Sequence, residues 1–275
     1  MYIRLTVKIN IYIMKNKSTI IEESTVRKLI SERKTGEEIS NYFHISRKTL
    51  YNYLNKWGLN LSSNIGSRID DSVFDVIDSD EKSYWLGFLY ADGYVCSYHN
   101  QIELSLASCD SEHIYKFAKF LSEKDLDKIK ISTSKKGFSR CRYIIGSEHL
   151  KDRLISLGCI PNKSKSLKFP DINNFKNIDL IYSFIRGYVD GDGCLYEKGK
   201  SLCIEITSGS FEFLESIKYY FPEFGKISVD SRNNNVFRIT CSNTKAKSVS
   251  KKLYENSSIY LDRKFKKFAA LCRNT

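Results

Sequence analysis

The chain carries one apolar segment twice, and this duplication constrains its fold more than any other feature of the sequence. The segment at residues 85–93 recurs at 185–193, so that Asp92 and Asp192 lie 100 positions apart. Small residues spaced four apart allow two helix backbones to approach closely. The small residues of the two segments are Gly87, Ala91, Gly187 and Gly191. We therefore expect two helices packed side by side, with their aspartates together at one end.

Each segment ends in an Asp-Gly pair. Gly93 and Gly193 suit left-handed C-caps, so we expect the helices to end there. Two carboxylates on rigid elements, in a chain with a net charge of +12, suggest a Mg²⁺ site for cutting nucleic acid. Aspartates that only cap helices are the simpler alternative, and it does not explain the duplication.

The duplication extends beyond this segment. Residues 104–108 align with 204–208, and Lys163 aligns with Lys264 about 100 positions later. Residues from about 73 to 270 therefore read as two copies of one unit. A pseudo-symmetric enzyme in a single chain has no need to dimerise, so we expect a monomer.

Within each copy, period-two alternation predicts strands with one buried and one exposed face. The predicted strands are 101–108, 128–134 and 140–146, then 202–207, 226–230 and 237–240. Ile131 and Val229 are expected to face inward. Cations recur on the outward faces and favour a concave sheet that reads DNA, although any antiparallel sheet has a polar solvent face. The candidate DNA contacts are Lys128, Lys130, Arg140, Arg142, Lys226 and Arg238.

Residues 19–59 form a separate helical pattern. Thr35 with Glu38 makes a capping box, and Ser46 caps a last helix. This order of helix, short turn and helix is typical of a helix-turn-helix domain, with a generic helical hairpin as the alternative. The outward residues of the last helix, candidates for DNA contact, are Arg47, Lys48, Tyr51 and Asn52.

The remaining segments and the composition narrow the class of protein. Residues 60–72 are polar and read as a linker, either a tether or a segment that follows a DNA groove. Residues 1–18 read as an N-terminal arm, with either Met1 or Met14 as the start. No apolar stretch approaches membrane-spanning length, and no two of the eight cysteines have zinc-site spacing. We expect a cytoplasmic protein, encoded by a prokaryote or a phage, that acts on DNA.

With these motifs, the chain resembles the LAGLIDADG homing endonucleases, and residues 157–170 and 184–193 are similar to their intein and phage-intron branch. The resemblance implies an α+β fold of tandem αββαββα units, 73–170 and 171–275, with two antiparallel DNA-binding sheets. It implies double-strand cleavage of double-stranded DNA at a long asymmetric site. It also implies a role in the homing of an intron or another mobile element. It also implies two or more Mg²⁺ ions, which Mn²⁺ would replace.

The same resemblance assigns roles to four residues. Asp92 and Asp192 would be catalytic metal ligands, and Lys163 and Lys264 would polarise water or stabilise developing charge. Plain phosphate contact is the alternative for the lysines. Asp190 is expected to be structural rather than catalytic.

Two positions depart from the family pattern: Tyr90 and Arg186 replace the usual small or acidic motif letters. Both lie off the stripe of small residues, so they need not block helix packing.

Two other functions stay open at this point. One is a transcriptional regulator derived from such an endonuclease, and the other is a maturase that acts on its own intron RNA.

Overall fold

The computed structural model describes most of the chain as two compact units, which meet in sequence between residues 68 and 69. The described residues are 21–32, 34–59, 69–122, 126–161, 163, 166–199, 201–231 and 233–273. The predicted arm at 1–18 and residues 60–68 of the predicted linker lie outside them. The predicted domain boundaries therefore stay predictions.

The first unit contains three described helices: α1 (Glu23–Ser31), α2 (Gly36–Tyr42) and α3 (Arg47–Lys56). The predicted capping box is present, because the Thr35 hydroxyl accepts from the Glu38 N–H while the Glu38 carboxylate accepts from the Thr35 N–H. Ser46 caps α3 as expected. One small core holds the helices together: Val26, Ile39, Phe43, Leu50 and Leu54.

The second unit repeats one succession of elements. Its first copy consists of α4 (Asp80–Asp92), β1 (Gly93–Val95), β2 (Gln101–Ala107), α5 (Ser111–Leu121), β3 (Lys130–Thr133), β4 (Ser139–Gly146) and α6 (Glu148–Ser156). Its second copy consists of α7 (Asp179–Asp192), β5 (Gly193–Lys198), β6 (Ser201–Ser208), α8 (Phe211–Tyr220), β7 (Ser228–Asp230), β8 (Asn233–Ser242) and α9 (Asn243–Tyr254), followed by α10 (Asp262–Arg273). The predicted αββαββα repeat is confirmed.

Each copy builds a four-stranded antiparallel sheet, in the order β1-β2-β4-β3 and β5-β6-β8-β7. Within the first sheet, Ile102, Leu104 and Tyr143 are buried under α5, while the residues between them face outward. The expected mixed fold with two antiparallel sheets is thus present. Its core is one continuous apolar cluster that runs through both copies.

The strand pairing shows that β2 and β6 are equivalent with an offset of 102 residues, two more than the sequence alignment gives. Gly93 pairs with Leu104, whereas Gly193 pairs with Ile206, so the counterpart of Leu104 is Ile206 rather than Ile204. The second hairpin is longer because β5 has six residues and β1 has three. A 3₁₀ turn at Ser108–Asp110 compensates in the first copy, and α5 and α8 again begin 100 positions apart.

The helices α4 and α7 pack backbone against backbone. A Cβ atom at Gly87 would lie 1.9 Å from the carbonyl oxygen of Phe184, and one at Gly187 would lie 2.0 Å from that of Tyr84. At Gly191 it would lie 2.3 Å from the Cβ of Ala91. Glycine is therefore a steric requirement at these crossing points.

Two expectations about local structure are wrong. Gly93 and Gly193 do not adopt left-handed C-caps; their φ angles are −72° and −78°, and each leads directly into a strand. Space demands these glycines, because a Cβ at Gly93 would lie 2.5 Å from the Leu89 carbonyl oxygen. Ile131 and Val229 were expected inside, yet they are 61% and 50% exposed. They lie on β3 and β7, each at one edge of its sheet.

Candidate active site

The two aspartates of the repeated motif come together where α4 and α7 end. A Cβ atom placed on Gly191, the neighbour of Asp192, would lie 3.1 Å from Oδ2 of Asp92. Each carboxylate follows the close-packed stretch of its helix, so the backbone fixes its position. The duplication thus places two acidic groups side by side on rigid supports.

Burial and mutual repulsion perturb both carboxyls. Burial, and then the negative charge of Asp192, raise the pKa of Asp92 to about 6. Burial also raises the pKa of Asp192, against a hydrogen bond from Tyr188 and the charges of Lys163 and Lys264. Two partly desolvated carboxylates at close range favour the binding of a cation between them.

The two predicted lysines reach the same place from opposite copies. Lys163 Nζ donates to the carbonyl oxygen of Gly93, and Lys264 Nζ donates to that of Gly193. These glycines directly follow Asp92 and Asp192. The structure therefore brings all four predicted site residues together at the ends of the paired helices.

The two lysines differ in how they are held. Lys264 is 3% exposed, and its ammonium also donates to the carbonyl oxygens of Val189 at 2.7 Å and Gly191 at 3.1 Å. Burial lowers the pKa of Lys264 to about 8. Lys163 is only half-buried, and among the described residues its ammonium donates to the carbonyl oxygen of Gly93. The pseudo-symmetry of the sequence is therefore broken at the lysines.

Two residues just before Lys264 form ion pairs with the first copy. Asp262 bonds to Lys116 of α5 at 2.8 Å, and Arg263 bonds to Asp110 at 2.9 Å. Both partners belong to the first copy. The start of α10 is thus fixed to the opposite copy just before Lys264.

A cavity of about 190 Å³ opens beside this cluster. Lys163 and Asp192 line it together with Tyr90, Tyr188 and Ser208. Sequence reasoning missed Tyr188, whose hydroxyl also donates to the carbonyl oxygen of Thr207 at 3.3 Å. Its place one helical turn before Asp192, on a motif helix, was the available signal.

Asp190 lies away from this cavity in a buried network. Its carboxylate accepts from the Tyr84 hydroxyl at 2.8 Å, the Tyr254 hydroxyl at 2.6 Å and the Leu261 N–H at 2.7 Å. Because Tyr84 donates to Asp190, His113 Nε2 must donate to Tyr84, at 2.9 Å. Burial lowers the pKa of His113 to about 3, so its ring is neutral. A structural role for Asp190 agrees with these bonds.

The donors at the aspartates suit a hard divalent cation. No group of three or more His, Cys, Asp or Glu side chains within the described part of the chain is arranged to hold a metal. Mg²⁺, however, commonly binds through one or two carboxylates and keeps several waters. The oxygens of Asp92 and Asp192, with nearby backbone carbonyls, fit that pattern.

The candidate DNA contacts of the sheets divide into two groups. Lys130 pairs with Arg142 on the outer face of the first sheet, and Arg142 corresponds by register to Arg238 of the second sheet. Arg140 lies on the same face as Arg142 and is exposed. Arg238 lies 3.7 Å from the carboxylate of Glu205. Lys128 and Lys226, expected on strands, instead lie in a 3₁₀ turn and in the segment before β7.

The candidates of the first unit all lie on α3. Lys48, Tyr51 and Asn52 are exposed, as is Arg47, which forms an ion pair with Glu37 at 2.6 Å. They leave a polar surface on the last helix. Its use in DNA binding stays a prediction.

Comparison with known proteins adds three findings. Residues 179–267 match the family model described as "LAGLIDADG-like domain". A stretch of 155 residues is 27% identical to the DNA-directed RNA polymerase subunit Rpo1C of Methanocaldococcus jannaschii, over 56% of this chain and 17% of that subunit. The chain thus spans less than a fifth of the length of that relative.

Solved structures of two proteins are also similar. A mutant of I-SmaMI matches with 15% identity and a TM-score of 0.46, over 70% of this chain and 89% of that one. The LAGLIDADG meganuclease I-AabMI, bound to uncleaved DNA, matches with 16% identity and a TM-score of 0.42, over 69% of this chain and 88% of that one.

Within the described residues, no helix has the length and apolar character needed to cross a membrane.

The family model covers the copy that holds Asp192 and Lys264, and the first copy repeats its elements in the same order. The second copy, at residues 179–267, is therefore similar to a LAGLIDADG-like domain.

Proposed function

We propose that this protein is a site-specific endonuclease that hydrolyses both strands of a double-stranded DNA target in the presence of Mg²⁺. One observation carries the proposal: Asp92 and Asp192 come together at the ends of α4 and α7, with Lys163 and Lys264 at the adjoining carbonyls. The family resemblance, which implies this chemistry for these four positions, gives independent support.

The charge distribution supports DNA as the substrate. The chain has 44 Lys and Arg residues against 32 Asp and Glu, and cations lie on the outer face of both sheets at Arg142 and Arg238. Phosphate neutralisation supplies much of the affinity of such surfaces for DNA. We infer that the two sheets hold the duplex while the paired helices present the aspartates to it.

The carboxylates of Asp92 and Asp192 would hold Mg²⁺, and Mn²⁺ would serve in its place. When bound, such a cation neutralises charge at the phosphate and activates a water. Lys163 borders the open cavity, so its ammonium is placed to donate to a phosphate oxygen as charge develops there. Lys264, fixed by three carbonyls, is suited to orient the end of α7 and to supply positive charge at short range.

Two copies in one chain supply the pair of aspartates without a second subunit, so we propose a monomer. Two unequal copies also suit a long asymmetric target, as intron homing or another mobile element requires. We propose that α3 of the first unit reads additional base pairs at one flank.

Cleavage of a plasmid library with and without Mg²⁺ tests the proposal. Asp92→Asn and Asp192→Asn are each expected to abolish double-strand cleavage and to leave binding in Ca²⁺ nearly intact. Asp152→Asn, on the exposed surface of α6, is the matched control and should cleave normally. Normal cleavage by either motif variant would refute the site. Tight binding by the wild type without any cleavage would instead identify a DNA-binding regulator.

A further inference from the structure

The segment that carries Lys163 is bonded at three points to α4 and to Gly93, the residue that follows it. At the end of α6, the carbonyl oxygen of Leu157 accepts from the Tyr90 hydroxyl. Two residues later, the thiol of Cys159 donates to the Leu89 carbonyl oxygen at 3.5 Å. Lys163 itself donates to Gly93. The path from α6 to the lysine therefore runs along the last turn of the motif helix.

Tyr90 is the first of these ties, and its surroundings fix it firmly. The side chain is 1% exposed, and its ring meets that of Phe184 edge to face at 4.9 Å. Gly158, the residue after Leu157, has a φ of +100°, and a Cβ there would lie 2.2 Å from the Tyr90 hydroxyl oxygen. Tyr90 and Gly158 are therefore matched in shape, and the hydroxyl has one closely defined position.

In the second copy, a different side chain holds the segment that leads to the lysine. The counterpart of Tyr90 is Asp190, which accepts the Leu261 N–H at 2.7 Å, three residues before Lys264. Tyr254 donates to the same carboxylate at 2.6 Å and steadies it. Equivalent positions on the two motif helices thus each hold the segment that leads to a lysine.

We propose that Tyr90 is a positioning residue for Lys163, an inference that rests on the proposed function. The tyrosine replaces the acidic letter of the motif by reversing the hydrogen bond: a hydroxyl donates to a backbone carbonyl where the carboxylate accepts from a backbone N–H. Each lysine then depends on the anchor of its own copy. Loss of one anchor should weaken one lysine and spare the other.

Tyr90→Phe removes the hydroxyl and keeps the ring. Cleavage is followed separately on the two DNA strands with distinct end labels, and Lys163→Met identifies the strand that depends on Lys163. We expect Tyr90→Phe to slow that strand roughly tenfold, so that nicked DNA accumulates, because small displacements of a catalytic group are costly. Equal slowing of both strands, or selective slowing of the other strand, would overturn the proposal.

Two further tyrosines provide matched controls. Tyr254→Phe, which loosens Asp190, should slow the opposite strand. Tyr182→Phe, in a half-buried ring cluster with Tyr220, should leave both rates unchanged. A bias toward the same strand from Tyr90→Phe and Tyr254→Phe would contradict separate anchors.

A second measurement needs no nuclease activity. Competitive acetylation with limiting acetic anhydride, read by mass spectrometry, reports how freely each lysine amine reacts. Tyr90→Phe should raise the reactivity of Lys163 several-fold and leave that of Lys264 unchanged. Selective exposure of Lys163 in a protein whose wild type cuts no DNA would refute the proposed function and uphold the anchor. Unchanged reactivity of Lys163 would refute the anchor whether or not the protein cuts.

Discussion

Replacing Asp92 by asparagine should make the metal-free protein more stable at alkaline pH, although it removes a predicted catalytic group. Burial raises the pKa of the Asp92 carboxyl from 3.8 to about 6, and the charge of Asp192 adds to the shift. The ionised carboxylate is therefore disfavoured in the folded state. Asparagine has nearly the same shape and no charge, so it avoids this cost.

The sign of the pH dependence follows from that shift. A group whose folded pKa lies above its unfolded pKa stabilises the fold at low pH, and this contribution is lost as pH rises through the folded pKa. For Asp92 the loss falls between about pH 4 and 6, given its pKa of about 6 in the fold. A shift of about two units corresponds to about 3 kcal/mol, an upper bound because the residue is partly exposed. Asp92→Asn should therefore gain about 1–3 kcal/mol at pH 8 and almost nothing at pH 4.

Urea or thermal unfolding in EDTA measures this difference. For a unit of this size, each kcal/mol moves the midpoint by about 2–4 °C. Asp152→Asn, an exposed aspartate on α6, is the control and should match the wild type at both pH values. Mg²⁺ at a thousandfold excess over Kd should reverse the order, since the wild type binds the cation and gains about 4.1 kcal/mol. An Asp92→Asn protein no more stable than wild type in EDTA at pH 8 would refute the reasoning.

Three other outcomes are expected. Gly187→Ala should destabilise the second unit by roughly 3 kcal/mol or more in urea unfolding, because its Cβ would lie 2.0 Å from the Tyr84 carbonyl oxygen. The control Gly146→Ala, whose Cβ would have its nearest contact at 3.8 Å, should lower the free energy of unfolding by less than about 1 kcal/mol. Equal losses in the two variants would contradict the packing argument. Arg142→Ala should reduce the log–log salt slope of DNA binding by about one unit if the side chain contacts phosphate, or cost roughly 1–3 kcal/mol at one base position if it reads a base; unaltered binding would mean that the sheet face is merely solvated. Deletion of residues 1–60 should shorten the DNA footprint at one flank and leave cleavage intact, and an unchanged footprint would remove the first unit from DNA reading.

The helix pair could be predicted from sequence because its cause is local. Small residues four apart on an apolar run leave a helix only one close-packing face, and the duplication supplied the partner. Alternation likewise located six of the eight described strands but not β1 or β5, since a sheet buried on one side imposes a period of two. The prediction failed at β3 and β7. Ile131 and Val229 alternate as core residues do, but their exposure depends on which helix covers the strand. The local sequence of a strand does not show whether a helix packs over it.

The hydrogen-bond partners around the site could not be predicted from the sequence, for a different reason. Asp190 collects hydrogen bonds from Tyr84, Tyr254 and Leu261, which lie up to 106 positions away in the chain. No spacing rule joins such residues. The anchor at Tyr90 was hidden in the same way, because its partner Leu157 contributes only a backbone carbonyl. Side-chain patterns therefore located the aspartates and lysines, while the groups that hold them required the fold.

The inequality of the two lysines gives a last prediction, independent of any activity. Lys264 donates to three carbonyl oxygens in a buried place, and methionine would fill the same volume without a donor. A buried carbonyl left without a partner costs about 1–3 kcal/mol, although relief of the buried charge offsets part of that loss. Lys163 is half-buried and donates to the carbonyl oxygen of Gly93, to which water can donate when the ammonium is removed. Lys264→Met should therefore lower the free energy of unfolding by about 1–3 kcal/mol more than Lys163→Met, in urea titrations at pH 7. Equal losses would mean that the carbonyl cluster at the end of α7 is hydrated, and that Lys264 is as free to act on a substrate as Lys163.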